Sequence, residues 1–281
     1  MYRLALAALA AFLFLAAPAA AAPSAYPKRI VSLSPTATET LFAIGAGKQV
    51  IAVDDQSTYP KRAPRTRLSG FTPNVEAIAE YRPDLVVICC DPGGLRDSLR
   101  KLHIRVVMQP AAKTLRDAYA QIEQLGKIAG HHKEAGAVVA RMKRQIAKLV
   151  AHARRRGVGL TYYHELTPDL YSVTSKTFVG RVYSLFGLRN IADAADKSDS
   201  GYPQLSAEYI VSAAPDLIVL ADSVCCGQTP RTVASRPGWS RIPAVRNGLV
   251  LRIDDSIASR WGPRIVKLVR AVDAALSHVG R

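Results

Sequence analysis

The sequence predicts an α/β protein built as two parallel-sheet lobes joined by one long α-helix, with a ligand cleft between the lobes. Three observations carry this prediction. From Lys28 onward, short apolar β-branched runs alternate with helical periodicities, the pattern of parallel strands connected by crossover helices. One block recurs 132 positions later: Asn74, Glu76, Ile78, Pro83 and Asp84 return as Ser206, Glu208, Ile210, Pro215 and Asp216. Between the two copies, Thr114 to Arg156 consists of helix formers, with interruptions expected only near Gly126, Gly130 and Gly136.

Taken in order, the elements begin with a targeting segment. Met1-Tyr2-Arg3 precedes an apolar run from Leu4 to Ala17, then Pro18 and a tract of small residues to Ala22, which reads as a cleaved secretory signal over residues 1–22. The run is too short for a membrane anchor, and no cysteine stands near the cleavage point to carry a lipid. A mature chain held in a periplasm is therefore expected. The N-terminal lobe spans 28–111. Arg29 to Leu33 is its first strand, and a helix opens at Ser34-Pro35-Thr36, with Pro35 suited to a first turn, and runs to Ala43. Gly45 to Gly47 closes that helix, and Val50–Val53, Leu85–Ile88 and Val106–Met108 supply the remaining strands. The linker spans 112–157, its second piece, from Lys133 to Arg155, being long enough to cross a domain. The C-terminal lobe, 158–281, opens with the strand around Leu160 to Tyr163.

Composition narrows the function classes. The 281 residues are 49% hydrophobic and 21% charged, enough apolar material for sizeable cores. Lys and Arg number 38 against 22 acids, a formal charge of +16, which raises the question of a polyanionic partner. The excess is spread over Lys61–Arg67, Arg141–Arg156 and Arg260–Arg270, and no helix-turn-helix, zinc-finger or stacking motif accompanies it, so no nucleic-acid partner is expected. Beyond the leader no 18-residue apolar stretch occurs.

In a two-lobed fold of parallel sheets, the loops after the strands face the cleft. Phe71, Tyr202 and Trp261 lie on such loops and offer flat apolar faces for a large ring system, or alternatively pack into a core. Glu76 and Glu208 stand in the first turns of the repeated helices, where the helix dipole favours a carboxylate. Cys89-Cys90 and Cys225-Cys226 flank the cleft; their reading stays open between disulfides, free thiols and contact with a soft metal or ligand. His103, His131, His132 and His164 lack a partner at fixed spacing and read as surface residues, and neither a nucleophile elbow nor a phosphate loop is present. No catalytic residue, metal centre or resident cofactor is expected.

Six blocks occur in an order that resembles periplasmic cobalamin-binding proteins. They are Arg29 to Pro35 with Thr38-Glu39, Thr58-Tyr59-Pro60, Asn74 to Ile78, Pro83-Asp84-Leu85, Gln204 to Glu208, and Arg260 to Ile265. The chain is similar to the long-helix-linked class of solute-binding proteins that feed ABC importers for cobalamin, haem and ferric siderophores. The resemblance implies that the chain, as a monomer, captures a small-molecule metal chelate, cobalamin or a related corrinoid, and presents it to an ABC importer permease dimer. Haem or a ferric siderophore is the alternative cargo; a chelatase-type enzyme on a similar fold is the rival reading. By the same resemblance Tyr202 lines the cleft, Arg260 reaches towards the ligand, Tyr59 is the axial candidate for haem, and Glu76 and Glu208 dock onto permease arginines. One cleft aromatic of that family is replaced here by Gln56.

Overall fold

The structure, a computed structural model, describes residues 26–279; the leader read over residues 1–22 lies outside them. The N-terminal lobe runs β1 (Ile30–Leu33), α1 (Pro35–Ala43), β2 (Val50–Val53), α2 (Val75–Glu80), β3 (Leu85–Ile88), α3 (Leu95–Lys101) and β4 (Val106–Met108). Two helices follow, α4 (Leu115–Ala129) and α5 (His132–Gly157). The C-terminal lobe then runs β5 (Thr161–Glu165), α6 (Phe178–Ser184), β6 (Arg189–Asn190), α7 (Ala207–Ala213), β7 (Leu217–Leu220), α8 (Pro230–Ala234), α9 (Pro243–Arg246), β8 (Val250–Arg252), α10 (Asp255–Ala258) and α11 (Ile265–Leu276). Both sheets are parallel, in the orders β2-β1-β3-β4 and β6-β5-β7-β8.

The sequence repeat has a physical basis. Ile30 pairs with Leu85 and Tyr162 with Leu217, the same register carried forward by the repeat. In each lobe the Asp of the Pro-Asp pair fastens the start of the first strand. Asp84 accepts from the backbone N–H groups of Lys28 and Arg29 at 2.8 and 3.0 Å, and Asp216 accepts from Thr161 N–H at 2.8 Å. Asn74 and Ser206 both cap their helices, accepting from Ala77 and Tyr209 N–H. Such caps contribute about 0.5–2 kcal/mol each.

β3 and β7 are buried along their whole length, as central strands covered on both faces must be. Leu85 and Val87 face one side, Val86 and Ile88 the other. The first side is continuous with α1, α4, α5 and α11 and then with Leu217, Val219 and Leu268 of the second lobe. One apolar core therefore runs from lobe to lobe through the connecting helices. α5, with 26 residues, is about 39 Å long, enough to span both. The helical linker breaks only once. Gly130, at φ 80°, ends α4 in the left-handed region, whereas Gly126 and Gly136 lie inside helices. Gly126 is a contact residue: a Cβ there would stand 2.3 Å from that of Ala135 on α5, so its missing side chain lets the two helices approach.

Candidate functional site

The loops at the carboxyl ends of the two sheets meet through the segment after α10. The chain from Ser259 to Arg264 crosses from the C-terminal lobe to α1. There Glu39, buried among Thr36, Thr38 and Thr40, accepts from Arg260 Nη1 at 2.8 Å and from Arg264 Nε at 2.8 Å. Arg260 also donates to the Gln56 carbonyl at 2.9 Å, and Gly262 lies against Thr36 and Glu39. Arg260 is thus held by Glu39 and not by its sequence neighbours Asp254 and Asp255. Asp254 instead caps α10 through Ser256 N–H. One signal for Glu39 was present in the sequence: it is the lone charged residue in a helix otherwise of Pro, Thr, Ala, Leu and Phe.

The aromatic candidates divide. Phe71 and Tyr202 are 73% and 55% exposed, one on each lobe. Gly70 holds Phe71 at the end of β1, for a Cβ at Gly70 would meet the Leu33 carbonyl and Asp54 Oδ2 at 2.9 Å. Tyr202 follows Gly201, whose N–H donates to Asp196. Trp261 is partly buried, its Nε1 donating to Gln121 Oε1 on α4 at 2.8 Å. The ring of Tyr59 lies 4.2 Å beneath the Arg264 guanidinium and lines a pocket of about 310 Å³ with Ala43, Gln145 and Lys267. The structure thus leaves Phe71 and Tyr202 exposed, one on each lobe, and ties Trp261, Tyr59 and Arg260 into the contact between lobes.

Buried acids border the cleft on both lobes. Asp54, at the end of β2, is 2% exposed, and burial pushes its carboxyl up to about 6. Glu165 and Asp222, at the ends of β5 and β7, are fully buried. Arg236 grips Glu165 with two bonds of 2.6 and 2.7 Å and lies 4.5 Å over Trp239. Both Asp222 oxygens are without a partner, and burial, then the neighbouring Glu165, raises its carboxyl to about 7. These groups were not visible as a set in the sequence because each stands at a different strand end. His164 departs from the expected surface placement. It is buried on β5, bonded to the Tyr183 hydroxyl at 2.8 Å, and desolvation lowers it to about 3. His103 and His132 are exposed.

Glu76 and Glu208 are exposed in the first turns of α2 and α7. A crossover helix starts at the carboxyl edge of its parallel sheet, so both acids stand on the cleft side of their lobes. The Glu208 carboxyl is held below its usual range by its own backbone N–H and then by Ser206. A depression of about 530 Å³ between Leu170, Val211 and Trp239 reaches Glu208 from the outside of the C-terminal lobe. The disulfide expectation is corrected: all four cysteines are free. Each thiol meets its sequence neighbour, with sulfur atoms 3.3 Å apart in Cys89-Cys90 and 2.8 Å apart in Cys225-Cys226, beyond the roughly 2.05 Å of a bond.

Comparison with known proteins agrees with this architecture. The chain is 31% identical over 252 residues, 86% of its length and 77% of the relative's, to the uncharacterized ABC transporter substrate-binding lipoprotein YvrC of Bacillus subtilis. It is 31% identical over 259 residues to a cobalamin-binding protein of Halobacterium salinarum, covering 86% of this chain and 67% of the other. The crystal structure of the periplasmic vitamin B12 binding protein BtuF of Vibrio cholerae superposes with a TM-score of 0.73 at 25% identity, covering 89% and 97% of the two chains. The family described as periplasmic binding protein matches residues 30–257. Two parallel-sheet lobes, a single long helix between them and a match over most of the chain lead to one conclusion: this chain belongs to the periplasmic binding protein family.

Proposed function

We propose that the chain captures cobalamin or a related corrinoid in a periplasm and delivers it to the permease of an ABC importer. The observation that carries this reading is the pair of exposed aromatic faces, Phe71 and Tyr202, one on each of two lobes tied together by the Glu39–Arg260–Arg264 cluster. Two flat apolar surfaces suit a wide macrocycle, and the surrounding polar groups suit its amide fringe. Relatives named for cobalamin and vitamin B12 binding support the cargo, and the relative named as an ABC transporter substrate-binding lipoprotein supports the partner.

Delivery is assigned to Glu76 and Glu208. Two equivalent acids, one per lobe, match a permease of two equivalent subunits that present basic sockets. The protein acts as a monomeric binder with no resident cofactor; the chelate is cargo. The test is the visible absorption spectrum of protein purified from its native periplasm. A corrinoid spectrum at one equivalent supports the reading. A Soret band, or a ferric-catecholate band, transfers the assignment to haem or a siderophore.

A further inference from the structure

The four cysteines have no part in the capture and docking just described, yet their placement is regular. Cys89-Cys90 directly follows β3, and Cys225-Cys226 lies in the loop after β7, the repeat-equivalent strand of the other lobe. Both pairs therefore stand at the carboxyl edge of their sheets. In each pair the two Sγ atoms lie side by side, 3.3 and 2.8 Å apart. Cys90, Cys225 and Cys226 are exposed and Cys89 is half-buried. The supports are firm. β3 is buried on both faces, and the Cys226 N–H donates to the Asp222 carbonyl at 3.1 Å, which closes the second loop around its pair.

The donor set selects the ligand. Among the described residues, no group of three or more His, Cys, Asp or Glu is placed to share a metal, so neither pair builds the closed tetrahedral shell of a structural zinc site. Two soft sulfur donors on adjacent residues suit a soft cation that accepts two ligands; of the metals that thiolates favour, zinc and iron–sulfur clusters need more protein ligands, whereas Cu(I) accepts two. We propose that each vicinal cysteine pair is a two-sulfur site for a thiophilic cation of the Cu(I) class, giving two separate sites per chain.

Loading is a substitution without electron transfer. One Cu(I) forms two Cu–S bonds, and the two thiols release two protons to solvent.

The test is an anaerobic titration of the reduced full-length mature chain with Cu(I), in competition with a chromophoric Cu(I) chelator. Two copper ions per chain are expected, with one remaining in Cys89→Ser/Cys90→Ser, one in Cys225→Ser/Cys226→Ser, and none in the quadruple variant. Thermal unfolding checks that the variants fold. Because Cys90 and Cys226 are exposed, the single variants Cys90→Ser and Cys226→Ser carry the same test if a double variant fails, each losing one copper. Copper retention equal to that of the quadruple variant overturns the proposal. So does a single copper per chain that either double variant abolishes, since it would mean four sulfurs converging on one ion across the cleft.

Discussion

Replacing Glu39 by Ala should cost about 3–5 kcal/mol of folding stability. The Glu39 side chain is 1% exposed, and its partners Arg260 and Arg264 are 13% and 11% exposed. Three charge-assisted bonds converge on the carboxylate, each worth about 1.5–3 kcal/mol taken singly. Their sum overstates the loss, because the freed guanidiniums regain some water at their exposed edges and Arg260 keeps the Gln56 carbonyl. The remaining cost comes from two neighbouring cations left unpaired in a dry contact. Urea unfolding followed by circular dichroism measures it. Hydrogen exchange should quicken in residues 35–43 and 259–264 together, since the cluster ties α1 to the opposite lobe. A loss below about 1 kcal/mol would place the cluster with solvated surface pairs and refute the argument. A triple replacement of Glu39, Arg260 and Arg264 by apolar residues of similar volume should recover most of the stability, as buried ion networks commonly allow.

Other outcomes follow from the same geometry. Phe71→Ala and Tyr202→Ala should each weaken cyanocobalamin binding by about 1–3 kcal/mol with unchanged melting temperature, because both rings are exposed in the free protein; unaltered affinity in calorimetry would remove them from the site. Glu76→Ala and Glu208→Ala should leave ligand affinity intact and reduce transport by the cognate importer, the double variant most severely; wild-type transport by the folded double variant would return both acids to helix capping. Asp222 is raised to about 7, so the folded chain holds a proton that the unfolded chain has released, and this stability is lost as pH rises through 7. Asp222→Asn should therefore raise the melting temperature more at pH 8 than at pH 5, and more at pH 5 than at pH 3; equal shifts at all three would contradict the assignment. The continuous core through α4, α5 and α11 leaves little room for hinge motion, so scattering with and without cyanocobalamin should show nearly equal radii of gyration, and a large decrease would count against it.

The lobes, their sheets and the connecting helix were legible because their causes are local or repeated. Val50–Val53, Leu85–Ile88 and Val106–Met108 are strands with the bounds read from their apolar runs. The repeat is matched by equal registers in both sheets, because the same Pro-Asp pair pins each first strand. Gly126 misled for a physical reason: missing side chains serve helix contact as well as helix termination, and only the facing Ala135 tells them apart. Among the candidate residues, the exposure of Phe71, Tyr202, Glu76 and Glu208 was legible, because it depends on their own loops and helix starts. The buried parts of the site depend on pairs far apart in sequence. Glu39 is separated from Arg264 by 225 positions, Glu165 from Arg236 by 71, and no spacing rule joins them. His164 likewise looks polar and unpartnered in sequence, and only the strand register buries it against Tyr183.

Calorimetric titration of the purified mature chain with cyanocobalamin, with hemin as the parallel titrant, tests the central claim most directly. Capture of a corrinoid against the exposed rings of Phe71 and Tyr202, as proposed, predicts one-to-one binding of cyanocobalamin, with a negative heat-capacity change from burial of the two rings. The absence of heat with cyanocobalamin and cobinamide, together with tight binding of hemin, would contradict it.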